Sequence, residues 1–409
     1  MCRFPISPAM QRESGSRWPV ASCRPRTFHI VNRCTTAMLT QSSLKAMRAA
    51  VSCAITAAIC CTAAYADEAK VLHVYNFSEN IAPGTVEKFE KETGIKVTYD
   101  VYDTDDTLMT KLLAGRSDYD IVVPSNNYFA KEKEAGLFAR LDLSKLPNLK
   151  NLDPQIVNLI KVNDPKGEYG VPYVWGITGL AYNLTEVRKR AGADAPLNSW
   201  DMIFDPKWAA KLKSCGISLQ DNGGETFQDA LFGAKLNPDT QDPKDFKVAL
   251  DKLKAIRPYV TQFSSSSYIA DLAGGDVCAA VAYSGDAQTA KLQAKAAGRK
   301  FDLAFVIPKE GAPLWVDMFA IPAGSPHKEN AMKFIDFMLR ADVSAMQTNE
   351  IKYPTSVSAA RPLIDPKITN DPAIFPPPED MKRVTLEKPL PISLMRQINR
   401  DYLELKAGR

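Results

Sequence analysis

Residues 71–124 read VLHVYNFSENIAPGTVEKFEKETGIKVTYDVYDTDDTLMTKLLAGRSDYDIVVP, and this stretch decides the fold. Strand patterns alternate in it with helical patterns, and glycines or turn residues separate them. The elements predicted here and just beyond are strands at 71–75, 95–101 and 119–124 and helices at 85–92, 107–114 and 127–136. Such alternation indicates an α/β fold with a largely parallel sheet.

A second α/β pattern follows an apolar, aromatic stretch at residues 170–183, which we interpret as strands crossing between two lobes. It predicts helices at 245–256, 268–273, 286–297, 328–339 and 392–406 and strands at 277–283, 301–307 and 315–321. The chain exceeds the roughly 250–300 residues at which a single core usually stops growing. We therefore expect a ligand cleft between two lobes. The predicted lobes are residues 67–173 with 295–340, and residues 174–294 with 341–409.

Residues 1–66 do not have the pattern of a folded domain. Lys45 and Arg48 precede an apolar run at 49–64, and Ala-Tyr-Ala at 64–66 forms a small-x-small cleavage site, which together predict a cleaved signal peptide. The apolar run is too short for a membrane span, and no later stretch is long enough for one. We interpret the Arg- and Ser-rich residues upstream as preceding the true start codon. A genuine extension or an organellar transit peptide stays open as the alternative.

Basic residues concentrate in this leading segment, which carries eight Lys or Arg and one acid. The whole chain has a formal net charge of +4, whereas the 43 basic and 46 acidic residues after residue 66 give −3. This balance offers no electrostatic basis for binding nucleic acid or anionic lipid, and it is compatible with a cationic ligand.

Cysteine use fits an exported protein. Six of the eight cysteines lie within residues 1–66, which leaves Cys215 and Cys278. Two cysteines in an exported chain indicate one disulfide, and two free buried thiols are the alternative.

The residues after 66 lack most of the side chains that catalysis and metal binding use, since His73 and His327 are their only histidines. The sequence has no His/Cys cluster, His-Glu-x-x-His helix, EF-hand loop, glycine-rich phosphate loop or Gly-x-Ser-x-Gly elbow. We therefore predict no catalytic residue, no metal and no cofactor.

Aromatic residues instead stand beside carboxylates near the ends of predicted strands. The three segments are FSE at 77–79, YSGD at 283–286 and WVD at 315–317. A diamine needs carboxylates for its ammonium ends, an apolar wall for its methylenes, and aromatic faces that attract cations. The same residues could equally be core packing, and Asp286 could be a helix cap.

Several motifs, in order along the chain, resemble those of periplasmic putrescine/spermidine-binding proteins of ABC transporters. They include YNFSE at 75–79, FEKETGIKV at 89–97, DIVVPS at 120–125, LKSCG at 212–216 and IPKEG at 307–311. The likeness extends from Val71 to Arg409. It implies a two-lobed type II periplasmic-binding-protein fold that captures a small polyamine without turnover and delivers it to the membrane permease of an ABC importer. We expect a periplasmic monomer that is not an enzyme.

The resemblance also implies a set of site residues. Aromatic walls match Phe77, Tyr283 and Trp315, and carboxylates that hold amino groups match Glu225, Asp286 and Asp317. Further positions lining the cleft match Ser78, Glu79, Ser125, Ser265 and Tyr353. Cys215 and Cys278 match a pair that forms a disulfide in relatives.

This chain departs from the family at the aromatic positions. Asn80 stands where Tyr is common, and Phe77 and Tyr283 stand where Trp is usual. The class of ligand is therefore better defined than the preferred amine. Two alternatives stay open: a receptor module that senses polyamines, and the same fold binding another organic cation. A basic amino acid is disfavoured, because no Arg falls in the matched segments to hold its carboxylate.

Overall fold

A computed structural model describes residues 68–115 and 118–409. The predicted leading segment and signal peptide, residues 1–66, lie outside the described residues. The strands are β1 (Val71–Phe77), β2 (Lys96–Tyr102), β3 (Ile121–Val122), β4 (Gly170–Asn183), β5 (Ile217–Leu219), β6 (Gln262–Phe263), β7 (Ala279–Tyr283), β8 (Leu303–Val306), β9 (Ala312–Ala320) and β10 (Val384–Leu386).

Helices of the first half are α1 (Thr85–Thr93), α2 (Asp105–Leu113), α3 (Asn126–Glu134), α4 (Pro154–Ile160), α5 (Leu184–Ala191), α6 (Asp201–Phe204), α7 (Pro206–Leu212) and α8 (Gly223–Gly233). Those of the second half are α9 (Pro243–Ile256), α10 (Tyr268–Gly274), α11 (Ser284–Ala296), α12 (Lys328–Met338), α13 (Ala341–Ile351), α14 (Pro366–Thr369), α15 (Pro378–Met381) and α16 (Ile392–Lys406). Short 3₁₀ turns occur at Leu143–Lys145, Pro147–Asn151, Lys213–Cys215, Arg257–Tyr259 and Ser358–Leu363.

The first lobe is built on β1, which pairs in parallel with β2 on one side and β3 on the other. Beyond β3 the order continues to β9 and then β4, and both of these contacts are antiparallel. The parallel pairs arise because each helix returns the chain to the same end of the sheet. The sheet therefore places the ends of β1 and β3 at one edge, where side chains that follow these strands can meet.

The second lobe has the parallel strands β6, β5 and β7, with β4 antiparallel to β7. On its other side, β4 pairs with β8. The strand β4 belongs to both lobes, because Gly170–Ile177 pairs with β9 and Thr178–Asn183 pairs with β7 and β8. This confirms the prediction that residues 170–183 cross between the lobes. The strand β10 runs parallel to the start of β9.

Separate hydrophobic cores support the two lobes, and they assign two segments differently from the predicted boundaries. Val343 and Ile351 of α13 pack in the core that holds Leu72 and Phe89 of the first lobe. Leu303 of β8 packs in the second lobe, around Tyr268. We therefore propose that the second lobe extends past residue 295 to β8, and that the first lobe extends past residue 340 to the end of α13.

The sequence-based elements agree with the structure within a few residues, with two kinds of exception. The strand predicted at 119–124 is only Ile121–Val122, because Pro124 has no N–H to donate and the Asp120 side chain binds the backbone N–H of His73. Helices such as α8 and α13 were not predicted. The α/β two-lobed fold itself is confirmed. Within the described residues, no helix is both long and apolar enough for a membrane span.

Candidate functional site

A cavity of about 570 Å³, part of it open to solvent, lies between the lobes. Ten of the eleven predicted ligand residues line it: Phe77, Ser78, Ser125, Glu225, Ser265, Tyr283, Asp286, Trp315, Asp317 and Tyr353. Asn80, Asp103, Asp105 and Glu387 also line it.

Most of the lining residues stand where a strand ends or a helix begins. Phe77 ends β1 and Tyr283 ends β7. Asp105, Glu225 and Asp286 lie in the first turns of α2, α8 and α11. The free N–H groups of a helix start favour a carboxylate there, so the fold helps to keep acids at the cavity wall.

The aromatic rings form one continuous wall. The ring centroid of Trp315 lies 5.6 Å from that of Tyr283 and 5.2 Å from that of Tyr353, in edge-to-face contacts. Two glycines make room for the rings of this wall. A Cβ at Gly176 would lie 2.3 Å from the Trp315 ring, and a Cβ at Gly285 would lie 2.7 Å from the Tyr353 ring. The wall offers an apolar face to methylenes and π-faces to cations.

Asp286 is held by two hydroxyl groups. Tyr268 donates to its Oδ2 at 2.6 Å and Tyr353 donates to its Oδ1 at 2.5 Å. Burial nevertheless raises the pKa of Asp286 to about 6, against the effect of these hydrogen bonds. Both carboxylate oxygens keep a free lone pair, so an ammonium ion can still be accepted here.

Glu225 is oriented by its own helix cap and by the aromatic wall. Asn222 caps α8 and donates to Glu225 Oε1 at 3.0 Å, while the Tyr283 hydroxyl donates to Oε2 at 2.6 Å. Burial and the charge of Asp105 raise the pKa of Glu225 well above its ordinary value. Tyr283 thus forms part of the aromatic wall and also donates a hydrogen bond to Glu225.

Two further acids stand on the first lobe. Asn80 Nδ2 donates to Asp317 Oδ2 at 2.8 Å, and Ser125 donates to both oxygens of Asp105, from its hydroxyl at 2.6 Å and its backbone N–H at 3.0 Å. Burial raises the pKa of Asp105 to about 6 and that of Asp317 well above its ordinary value. Ser125 therefore lines the cavity and also holds the Asp105 carboxyl group in position.

Glu79 does not line the cavity, although the sequence places it beside Phe77 and Ser78. It is exposed and has a positive φ of 58° after the end of β1. The turn directs it away from the wall, yet its charge still raises the pKa of Asp286. Its predicted ligand contact remains untested.

Four lining residues were not predicted. Asn80 follows the FSE segment, and Asp105 lies two residues before the helix predicted at 107–114, so both had a local signal. Asp103, which accepts from the Ser78 hydroxyl at 2.7 Å, is two residues from Asp105. Glu387 follows β10 in a proline-rich stretch, and only the pairing of β10 with β9 brings it to the cavity.

The predicted cysteine pair forms a disulfide, Cys215–Cys278, in the second lobe. It links the turn before β5 to the start of β7, on the side of the lobe opposite the Tyr283 end of that strand. In the part of the chain that the structure describes, no group of three or more His, Cys, Asp or Glu side chains is arranged to hold a metal ion.

Two α/β lobes, joined by shared strands around an acidic cavity, define a solute-binding protein. The chain matches the family described as bacterial extracellular solute-binding protein over residues 84–376, and it belongs to that family. Family membership confirms the predicted resemblance and the prediction of a binding protein rather than an enzyme.

Individual relatives are similar to this chain over most of its length. The chain is 45% identical over 346 residues to the putrescine-binding periplasmic protein SpuD of Pseudomonas aeruginosa, which covers 85% of this chain and 94% of that one. It is 40% identical over 345 residues to the putrescine-binding periplasmic protein PotF of Escherichia coli, with 84% and 93% covered. A solved structure from Listeria monocytogenes, described as a candidate spermidine/putrescine ABC transporter, aligns with a TM-score of 0.75 at 32% identity, covering 83% of this chain and 100% of that one.

Proposed function

We propose that this chain captures a polyamine in the interlobe cavity and delivers it to the membrane permease of an ABC importer. It acts in the periplasm as a monomer, after removal of residues 1–66 as leader and signal peptide, and it has no nucleic-acid partner. The relatives named above, with putrescine or spermidine in their names, support the ligand class.

The observation that carries this proposal is the composition of the cavity. Six carboxyl groups and four aromatic rings line it, and no Lys, Arg or His is found among its described lining residues. The carboxyl groups are held by hydroxyl and amide donors, none of which supplies a positive charge. A buried site of this charge needs a cationic ligand.

A polyamine fits the chemistry of both surfaces. Each ammonium that donates to a buried carboxylate contributes about 1.5–3 kcal/mol, and each cation–π contact adds about 0.5–2 kcal/mol. The methylenes between nitrogens pack on the wall formed by Tyr283, Trp315 and Tyr353. A basic amino acid would also need a cation to hold its carboxylate, which the described lining does not offer.

Calorimetry with putrescine, cadaverine, agmatine, spermidine, arginine and lysine tests the ligand class. Asp286→Asn and Asp317→Asn should each weaken polyamine binding by about 10- to 150-fold, the equivalent of one charge-assisted hydrogen bond. Asp251→Asn, an exposed acid of α9, is the matched control and should leave affinity unchanged. Unchanged binding in both cavity variants, or no binding of any amine, would contradict the proposal.

Location and transport have separate tests. Mass spectrometry of the exported protein should find Asp67 at its N-terminus, and a different terminus would contradict the proposed cleavage. Deleting the gene should abolish polyamine uptake by the cell. Normal uptake would instead favour a sensing role.

A further inference from the structure

Asn80, which donates a hydrogen bond to Asp317 in the cavity, lies in a strained turn. It follows Glu79, whose φ of 58° places a non-glycine residue in the left-handed region. Such a residue is strained, and it persists only where the surrounding structure fixes the backbone on both sides. On the β1 side, the Ser78 backbone N–H donates to the Tyr102 carbonyl oxygen at 2.9 Å. The contacts that fix the turn on its other side lie behind the cavity.

A layer of buried polar side chains packs behind this turn. The Tyr173 hydroxyl, on β4, donates to the Asn80 carbonyl oxygen at 2.9 Å and lies 3.2 Å from Gln347 Oε1. Gln347, on α13, accepts from the Ala82 backbone N–H at 2.7 Å through Oε1 and donates to the Thr85 hydroxyl at 2.8 Å through Nε2. Together these contacts fix the backbone from Asn80 to the start of α1.

Gln347 and Tyr173 act on this turn without reaching the cavity. Neither is among the described lining residues, and they are only 0% and 4% exposed. An apolar side chain in place of Gln347 would leave the Ala82 N–H buried without an acceptor. Because an unpaired buried N–H is costly, the turn would have to move to pair it again.

The turn in turn determines the state of a cavity carboxyl group. Asn80 Nδ2 donates to Asp317 Oδ2 at 2.8 Å and lies 3.4 Å from Asn76 Oδ1. Burial raises the pKa of Asp317, and the hydrogen bond from Asn80 opposes that rise. A displaced Asn80 would therefore leave Asp317 less well oriented and would raise its pKa further.

We propose that Gln347 is a positioning residue for ligand capture, because it fixes the turn from which Asn80 orients Asp317, and that Tyr173 shares this role. The inference rests on the proposed function. Since neither Gln347 nor Tyr173 lines the cavity, their effect on affinity passes through Asn80.

Calorimetry with putrescine and with spermidine on Gln347→Met tests the inference. Met is similar in length but has no amide, so binding should weaken about tenfold or more. Thr348→Val is the matched control at the next buried position of α13, because it removes a hydroxyl without a hydrogen-bond partner among the described residues. It should change affinity less than threefold.

A double-mutant cycle tests whether the effect passes through Asn80. Asn80→Leu removes the donor to Asp317 and should itself weaken binding about tenfold. If Gln347 acts through this donor, Gln347→Met should cost less than a further threefold in the Asn80→Leu background. A full additional loss would mean that Gln347 acts by another route, and it would overturn the positioning role.

A pH profile separates positioning from a loss of folding. Between pH 5 and pH 8, the affinities of Gln347→Met and Asn80→Leu should level off at a higher pH than that of the unaltered protein. The reason is that Asp317 keeps its proton to a higher pH when the donor is lost. Partial unfolding would lower the fraction of binding sites and leave this pH unmoved, and an unmoved pH would overturn the proposal.

Tyr173→Phe provides an independent variant in case Gln347→Met does not fold. It keeps the ring against Phe319 and removes the hydroxyl that binds the Asn80 carbonyl, so affinity should fall about threefold or more. Unchanged affinity in both variants would overturn the positioning role and leave the proposed function intact. Failure of every amine to bind the unaltered protein would overturn both.

Discussion

Binding should release protons from buried carboxyl groups of the cavity. Burial raises the pKa of Asp105 and of Asp286 to about 6, although hydrogen bonds from Ser125, Tyr268 and Tyr353 oppose the shift. A cation in the cavity favours the ionised carboxylates and so lowers both pKa values. Between pH 5 and pH 7, a free group of pKa 6 changes from about nine-tenths protonated to about nine-tenths ionised. Each of these two groups should therefore raise the association constant about tenfold, and Glu225, whose pKa is raised to about 8, adds to the rise, so the total increase should exceed about a hundredfold.

Isothermal titration calorimetry from pH 5 to pH 7, in two buffers of different ionisation enthalpy, measures both the affinity and the protons released. The ligand amines stay charged throughout, since alkyl ammonium groups have pKa values of about 10. Asp105→Asn keeps the shape of the side chain and should remove one of the two tenfold factors. The exposed Asp251→Asn should leave the profile unchanged. An affinity that is flat over this range, with no buffer-dependent heat, would refute the reasoning.

The same pKa shifts act against the stability of the empty protein. A carboxyl group whose folded pKa is raised stabilises the fold below its unfolded pKa, near 4, and loses that contribution as the pH rises through 6. A rise of about two units corresponds to about 3 kcal/mol. Without ligand, Asp105→Asn should therefore gain stability relative to the unaltered protein between pH 4 and pH 7, as denaturant titrations can measure. A constant difference would contradict the shift.

Three more predictions concern the wall and the disulfide. Gly176→Ala would bring a Cβ to 2.3 Å from the Trp315 ring, so calorimetry should show at least tenfold weaker polyamine binding, and unchanged affinity would mean that the ring position is unimportant. Tyr353→Phe removes one of the two hydroxyls on its carboxylate partner and should weaken binding about tenfold, with a melting curve as the check on folding. Replacing Cys215 and Cys278 by Ser opens a loop of 63 residues and should lower the free energy of unfolding by about 4 kcal/mol while leaving affinity within threefold, so a large loss of affinity would contradict a purely structural role.

The sequence predicts well those elements whose pattern is local. The alternation in β2 and the glycine after α1 define their elements without help from the rest of the chain. The near-complete burial of β4 likewise follows from its mostly apolar sequence. Most of the site could be predicted because Phe77, Tyr283 and Trp315 stand in motifs that resemble a known family.

Features that depend on tertiary contacts could not be predicted in this way. Glu387 reaches the cavity because β10 pairs with β9, and no pattern around residue 387 indicates that pairing. The helix α8 begins with Gly223 and Gly224, which ordinarily argue against a helix, and the Asn222 cap compensates for them. Glu79 stands in the same motif as Phe77 and Ser78, but a positive φ turns it out of the cavity lining, which the sequence pattern does not show, and its contact with ligand stays a prediction.

The choice of partners for the cavity acids explains how an empty site can be stable and still attract a cation. A Lys or Arg beside each acid would satisfy its charge and compete with the ligand. Hydroxyl and amide donors, as Tyr268 gives to Asp286 and Asn80 gives to Asp317, orient the carboxyl groups without supplying a positive charge that would compete with the ligand. The remaining cost appears as raised pKa values, because an empty buried acid lowers its free energy by keeping its proton. A ligand that brings its own positive charges replaces those protons, so the selectivity of the cavity for cations and its dependence on pH have one physical origin.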